Sequence, residues 1–265
     1  MCEVPVALVT GGAGGIGAAV AAALAARGHR VVVADLDAEA AEAVAEKIGG
    51  LGIGVDVADP AGPAAAVARA LDAYGRLDVV ALNAGIGSGL AGADFDLAAY
   101  RRIVGVNLDG VVLGVAAALP ALRAADGGSI VATASLTGLV PMPADPLYTL
   151  TKAAVVGYVR ALAEPLAADG VRVNALCPGF TDTAILGAAR PAFESSGFPL
   201  LAPADVAAAF LAILDAGGTG EAWFVQPGRE PAAYRFRGVP GPASGDGAGA
   251  GVAPPPLAGF GRGTG

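Results

Sequence analysis

Seven short Val-rich runs separated by longer Ala-rich stretches constrain this chain more than any other feature. "VPVALVT" (4–10), "RVVVAD" (30–35), "LGIGVDV" (51–57), "LDVVALN" (77–83), "GSIVATAS" (128–135), "VRVNALC" (171–177) and "EAWFVQ" (221–226) read as strands. Helical candidates fill 15–28, 38–48, 60–75, 96–119, 146–168 and 203–216 between them. Near-continuously apolar strands alternating with helices belong in a parallel sheet covered on both faces. The expected class is therefore α/β: a doubly wound, mostly parallel seven-stranded sheet with helices on both faces. Its ligands should sit outside the C-terminal strand ends. A chain of 265 residues buries enough core for this to be one domain, placed here at 1–237. From 238 onward "GVPGPASGDGAGAGVAPPPLAGFGRGTG" turns to Gly, Pro and Ala, a composition that builds no core and reads as a flexible tail.

Charge narrows the partners. A formal charge of -8 and a pI near 4.6 argue against a nucleic-acid footprint or attraction to an anionic membrane, since both need clustered Lys and Arg. The long uncharged stretches are broken by Gly and Pro, so no membrane span is expected. The opening "MCEVPVALVTGG" has no basic region and no long apolar region before its glycines, and reads as a first strand rather than a signal peptide. Cys2 and Cys177 are expected to be two reduced thiols in a reducing, cytoplasmic setting.

The first loop carries chemistry. "TGGAGGIG" (10–17) leaves a strand and enters a helix, with Gly11, Gly15 and Gly17 where the backbone must turn tightly and approach a pyrophosphate. Gly14 and Ile16 belong to the same cradle, whose free N–H groups lie at a helix N-terminus and favour negative charge. Asp35 ends the second strand, where a carboxylate accepts from ribose hydroxyls; capping the next helix is the plainer reading of it. Leu36 follows, and no Lys or Arg lies in the glycine loop, so a 2'-phosphate would meet a carboxylate with no positive partner. NAD is favoured over NADP. Asp56 and Val57, past the third strand, are placed to meet an adenine edge.

"YTLTK" (148–152) poses a separate question in a chain whose one histidine, His29, reads as a surface residue near a helix end. Residues four apart share a helix face, so Tyr148 and Lys152 stand side by side. An ammonium beside a phenol favours phenolate. Moving a tyrosine from about 10 to about 7 takes about 4 kcal/mol, which Lys152 and the positive ring of NAD together could supply in a partly desolvated site.

These motifs in this order resemble the short-chain dehydrogenase/reductase family of the smaller, single-domain type, a Rossmann fold, over residues 4–228. The matching elements are "TGGAGGIG", Asp35, "DV" at 56, "NAG" at 83–85, Asn107, Ser135, "YTLTK" and "PGFTDT" at 178–183. "LNAG" stands where "NNAG" is more usual, and the tail is no family element. "VRVNALCPGFTDTAI" is also similar to the 15-hydroxyprostaglandin dehydrogenase branch. The resemblance implies that Ser135 bonds the substrate oxygen, that Tyr148 exchanges the proton, and that Asn107 holds a water linking Lys152 to solvent. It implies that Asn83, Ala84 and Gly85 lie under the cofactor. Pro178, Gly179 and Thr183 would shape the nicotinamide pocket, with Thr181 a rival for the contact assigned to Thr183.

Candidate substrate walls are Ile86–Leu90, Leu136–Met142 and Phe180–Leu200, including Ile185, Leu186, Phe193 and Phe198. Their apolar character suggests a secondary alcohol or ketone on a hydrophobic skeleton. The expected activity is NAD-dependent alcohol oxidation; the alternatives are an NADPH-dependent ketoreductase and a non-enzymatic dinucleotide sensor. Val111, Val112, Val115, Ala154, Val155 and Tyr158 give two helices more apolar surface than one sheet face should need, so a homodimer or homotetramer is expected.

Overall fold

Valines on alternate positions of each strand feed two separate cores. Val6 and Leu8 of β1 (Val6–Thr10) pack on one face of the sheet, and Ala7 and Val9 on the other. The same alternation runs through β2 (Arg30–Asp35), β4 (Val79–Leu82), β5 (Gly128–Thr133) and β6 (Val171–Pro178). The sheet adds β3 (Leu51–Gly54), β7 (Ala222–Val225) and β8 (Ala232–Ala233), in the order β3-β2-β1-β4-β5-β6-β7-β8. All pairs are parallel except β7–β8.

The computed structural model describes residues 4–238, so Cys2 and almost all of the Gly/Pro/Ala tail lie outside the described residues. One compact unit ends at Tyr234, and Arg235–Gly238 belong to a second segment without regular structure.

One face is covered by α1 (Gly15–Ala26), α2 (Ala38–Lys47) and α8 (Pro203–Ala216), the other by α3 (Ala61–Tyr74), α5 (Gly110–Ala124) and α6 (Pro146–Ala167). Leu24, Phe210 and Ile213 are fully buried on the first face, and Leu122, Val155 and Ile130 on the second. Each such side chain contributes about 1.5–3 kcal/mol. β1 lies between β2 and β4, so the chain winds outward in both directions from there and opens a crevice at the C-terminal strand ends.

Four details depart from the sequence expectation. The sheet has eight strands: β8 is two alanines, too short for any periodicity, joined to β7 through a turn with Gly228 at φ +69°. The helix expected over 96–119 is α4 (Leu97–Val104), a π-helical turn (Gly105–Asp109) and α5, which runs on to Ala124. β3 stops at Gly54, because Asp56 turns its carboxylate to the Ala58 N–H. Within the segment read only as a pocket wall, α7 (Arg190–Ser196) forms.

The stretch Leu97–Ala124 is long and apolar enough to cross a membrane. Its α5 part packs on the sheet, with Val111, Val115, Ala118 and Leu122 buried against it, and Ile103 of α4 is also buried. Val111, Val115 and Val155 therefore belong to this chain's own core and supply no apolar surface for assembly. His29 is half-buried near the end of α1, with Nδ1 3.1 Å from the Leu24 carbonyl oxygen. Cys177 is buried and forms no disulfide.

Candidate active site

The loop between β1 and α1 forms the first wall of a cavity of about 590 Å³. Gly11 (φ +61°) and Gly15 (φ +53°) hold left-handed backbone that residues with a side chain rarely adopt. A Cβ on Gly11 would lie 2.8 Å from Ala84 Cα, and one on Gly15 would lie 3.0 Å from Thr183 Cγ2 across the cleft. Gly14 faces open space and occupies the N-cap of α1 without any side-chain cap. The first-turn N–H groups, at the positive end of the helix dipole, thus keep their capacity for an anion. A dinucleotide pyrophosphate fits this cradle.

Asp35 lies on the same wall with Ile16, Leu36, Asp56 and Val57. Its Oδ2 accepts from Ala13 N at 3.0 Å and its Oδ1 from Asp37 N at 3.2 Å, which pins the glycine loop. The helix-cap role belongs instead to Asp37, whose carboxylate accepts from Ala40 N at 3.0 Å. Asn83 ties the strand ends together: its Nδ2 donates to Gly11 O at 3.2 Å, and its Oδ1 accepts from Thr133 Oγ1 at 3.1 Å. Its own N–H and that of Ala84 both donate to Thr10 Oγ1. Leu82, in place of the more usual asparagine, fills the space over Gly114 of α5 that a Cβ there would occupy.

The second wall is the start of α6. Asp145 caps the helix, accepting from Tyr148 N at 2.9 Å, and Pro146 presets the first turn. One turn on, Lys152 puts Nζ 5.5 Å from the Tyr148 ring centroid. Lys152 is 2% exposed and donates to the Thr133 carbonyl at 2.8 Å. Ser135, just past β5, accepts from Thr137 N at 3.2 Å and lines the cavity beside the Tyr148 phenol. Asn107 sits in the π-helical turn, a distortion frequent at functional sites.

Burial sets the protonation of this cluster. It pushes the Tyr148 phenol up to about 12; the neighbouring Ser135 hydroxyl opposes this and the Asp145 charge adds to it. Burial also brings Lys152 down to about 8, with Cys177 nearby acting the other way. The expectation that Lys152 helps carry the phenol down to about 7 is not met in the chain by itself. The Lys152 ammonium is directed at the Thr133 carbonyl, and desolvation of the phenol dominates.

Gly85, Ser135, Tyr148, Lys152, Pro178, Gly179, Thr181 and Thr183 all line the one cavity with the glycine loop. Two expected residues do not. Gly17 lies beneath the loop, where a Cβ would overlap the Gly11 carbonyl oxygen, so its role is close packing rather than contact with a phosphate. Asn107 is fully buried behind Ile86: its Oδ1 accepts from Ile86 N at 2.8 Å, and its Nδ2 donates to Ile86 O and to Thr151 Oγ1. Of the candidate substrate walls, Ile86, Leu136, Met142, Phe180, Ile185 and Leu186 reach the cavity. Phe193 and Phe198 stand behind Phe180, with ring centroids 4.6 and 5.7 Å away.

Thr133 and Asp145 went unmarked in the sequence. Thr133 holds Lys152 through its main-chain carbonyl, which leaves no trace in residue type. Asp145 had a signal: an acidic residue before Pro146 at a helix start is an N-cap pattern.

A dinucleotide cradle and a Ser-Tyr-Lys cluster around one crevice of a doubly wound sheet define an oxidoreductase class. The chain belongs to the short chain dehydrogenase family, whose model matches residues 5–193. It is 41% identical over 187 residues to the cis-4-hydroxycyclohexanecarboxylate dehydrogenase of Sinomonas cyclohexanicum, covering 68% of this chain and 75% of that one. To the 3-alpha-(or 20-beta)-hydroxysteroid dehydrogenase of Mycobacterium tuberculosis it is 40% identical over 180 residues, covering 67% and 69%. A 3-ketoacyl-(acyl-carrier-protein) reductase from Brucella melitensis, solved in complex with NADH, superposes with a TM-score of 0.79 at 36% identity, covering 86% of this chain and 98% of that one. The chain is an NAD(P)-dependent oxidoreductase. These likenesses establish the family without assigning the chain to the 15-hydroxyprostaglandin branch.

Proposed function

We propose that this chain transfers a hydride between NAD and a secondary alcohol or ketone on a hydrophobic small molecule, with Tyr148 as acid/base. The observation that carries the reading is the convergence of Ser135 and Tyr148, with Lys152 buried one turn along, in the cavity that also holds Asp35 and the glycine loop.

In this mechanism Ser135 bonds the substrate oxygen and Tyr148 Oη takes the hydroxyl proton as the alcohol is oxidised. NAD, which the glycine loop and Asp35 would hold, would accept the hydride, and its positive ring would add to Lys152 in favouring phenolate. Lys152, brought down to about 8 by burial, both takes up and releases a proton near neutral pH. A Cβ on Gly85 would lie 3.3 Å from Lys152 Nζ and 3.5 Å from Asn107 Oδ1. A side chain at 85 would therefore crowd Lys152 and Asn107, and the Asn107 amide, implied to hold a proton-relay water, is already bonded to Ile86 and Thr151. Thr183 is favoured over Thr181 for the nicotinamide end, because Thr181 is buried and donates its hydroxyl to Gly179 O at 3.1 Å.

Asp35 and Asp56 on the cavity wall, where Lys152 is the only cation among the described residues, favour NAD over NADP and weigh against the NADPH-dependent alternative. The apolar wall of Ile86, Leu136, Met142, Phe180, Ile185 and Leu186 supports a hydrophobic substrate. The names of the two dehydrogenase relatives specify hydroxylated cyclohexane and steroid compounds, which such a wall would accept. Hydroxycyclohexanes, hydroxysteroids, fatty alcohols and hydroxyprostanoids, screened with NAD for absorbance of NADH, should include at least one that turns over. Silence across the panel, and with the matching ketones and NADH, would defeat the assignment.

The same reading includes a homodimer or homotetramer. On the outer side of α6, Leu150 is 48% exposed and is followed by exposed Ala153, Gly157 and Ala161. These small side chains allow another helix to approach closely. Val112 of α5 is likewise exposed at 36%. Light scattering at micromolar concentration should give two or four times the 25.5 kDa chain mass; a monomer alone would overturn the proposal.

A further inference from the structure

The helix that carries Tyr148 and Lys152 is anchored by one side chain that also reaches the opposite wall of the cavity. Asp145 Oδ1 accepts from Tyr148 N at 2.9 Å, the amide of the acid/base residue itself. Asp145 Oδ2 accepts from Ser88 N at 3.0 Å, in the loop that follows β4 and "NAG". Ser88 is 1% exposed and its Oγ accepts in turn from Leu90 N at 3.0 Å, so the loop has a fixed shape where Asp145 holds it. A second tie runs the same way, from Gly92 N to Ala144 O at 3.1 Å. Asp145 lines the cavity, beside Ile86, Gly87 and Met142.

We propose that Asp145 is a positioning residue for Tyr148: its two carboxylate oxygens join the first turn of α6 to the loop after β4 and hold the phenol in place against the substrate oxygen. A helix cap needs one acceptor, and Ser serves about as well as Asp. The second oxygen bridges two walls of the cavity, which a cap does not require. Both bonds are charge-assisted, and such bonds contribute about twice what neutral ones do.

The carboxylate has an electrostatic consequence. A negative charge near the phenol opposes formation of phenolate, and Asp145 acts on Tyr148 in that sense. The other groups facing Tyr148 are Lys152 on α6, Ser135 beyond β5 and, beside Lys152, Cys177 on β6. Asp35 and Asp56 belong to the far, adenosine end of the cavity. Neutralising Asp145 therefore lowers the proton affinity of Tyr148. In alcohol oxidation the unprotonated phenol is the active form, so kcat/KM rises as pH passes upward through its pKa. Without the Asp145 charge that rise begins at lower pH.

The inference rests on the dehydrogenase reading of this site. The test compares Asp145→Asn, Asp145→Ser and Asp145→Glu with the wild-type enzyme, well below each melting temperature. Asn is isosteric and keeps an acceptor for Tyr148 N but presents an amide to Ser88 N. Ser restores the cap alone, and Glu keeps the charge on a longer arm. Asn and Ser should fold with melting temperatures within about 4 °C of wild type and bind NAD with unaltered Kd. Their kcat should fall about tenfold, and the rise of kcat/KM should move down by about half a pH unit or more. Glu should lose kcat without moving the pH profile. Wild-type kcat and an unmoved profile in Asp145→Ser would reduce Asp145 to a helix cap and overturn the proposal, as would a profile that moves equally in Asp145→Glu. A Tyr148→Phe enzyme that keeps its activity counts against the dehydrogenase reading; an inactive one alongside unaffected Asp145 variants counts against Asp145 alone.

Discussion

Tyr148→Phe should lower the rate of alcohol oxidation by a factor of at least about 100, and up to about 10,000, the range that a positioned acid/base supplies. The ring fills the same volume, so the walls formed by Ser135 and Lys152 stay in place. The phenol hydroxyl stands beside Ser135 in the cavity, and removing a hydroxyl with a polar neighbour costs about 1 kcal/mol. The melting temperature of a chain this size should then fall by about 2–4 °C. NAD binding, measured by titration without substrate, should be unaltered because the cradle at Gly11, Gly14 and Gly15 is untouched. The wild-type rate should rise with pH as Tyr148 loses its proton, and the residual rate of the variant should lack that rise. Retention of more than about a tenth of the wild-type rate would remove Tyr148 from the role.

Most of this site was legible because its chemistry lies in side chains at strand ends. The glycines at 11 and 15 mark positive φ, Asp35 marks the end of β2, and Tyr148 and Lys152 share a helix face by spacing alone. What was not legible depends on main chain or on distant packing. Lys152 is held by a carbonyl that any residue at 133 would present. Gly17 matched the loop motif, yet its lack of a side chain serves packing against Gly11 and Asn83. The π-helical turn at Asn107 interrupts a run whose apolar periodicity is otherwise continuous, so periodicity predicted one helix. β8 offers two alanines and no pattern. Spacing shows that Lys152 is near Tyr148 but not how far burial raises the phenol before a bound NAD adds its charge.

Wild-type enzyme should prefer NAD over NADP by about a hundredfold or more in kcat/KM, and Asp35→Ser combined with Leu36→Arg should shift that preference toward NADP. At this end the cavity wall carries Asp35 and Asp56 and, among the described residues, no Lys or Arg. A 2'-phosphate brings nearly two negative charges to the end of β2. Like charges about 4 Å apart near a protein surface repel by up to about 4 kcal/mol, and every 1.4 kcal/mol is about tenfold in affinity. Leu36 is 76% exposed, so an arginine there meets solvent rather than core and can reach a phosphate. Asp35 also accepts from Ala13 N, so Ser at this position loosens the glycine loop. The double variant should therefore lose efficiency with NAD as well as gain it with NADP. Asp56 remains in place and limits the gain. The measurement is kcat/KM for both cofactors in both enzymes, with any alcohol that turns over. A wild-type preference for NADP would overturn the assignment of Asp35 and favour the NADPH-dependent ketoreductase.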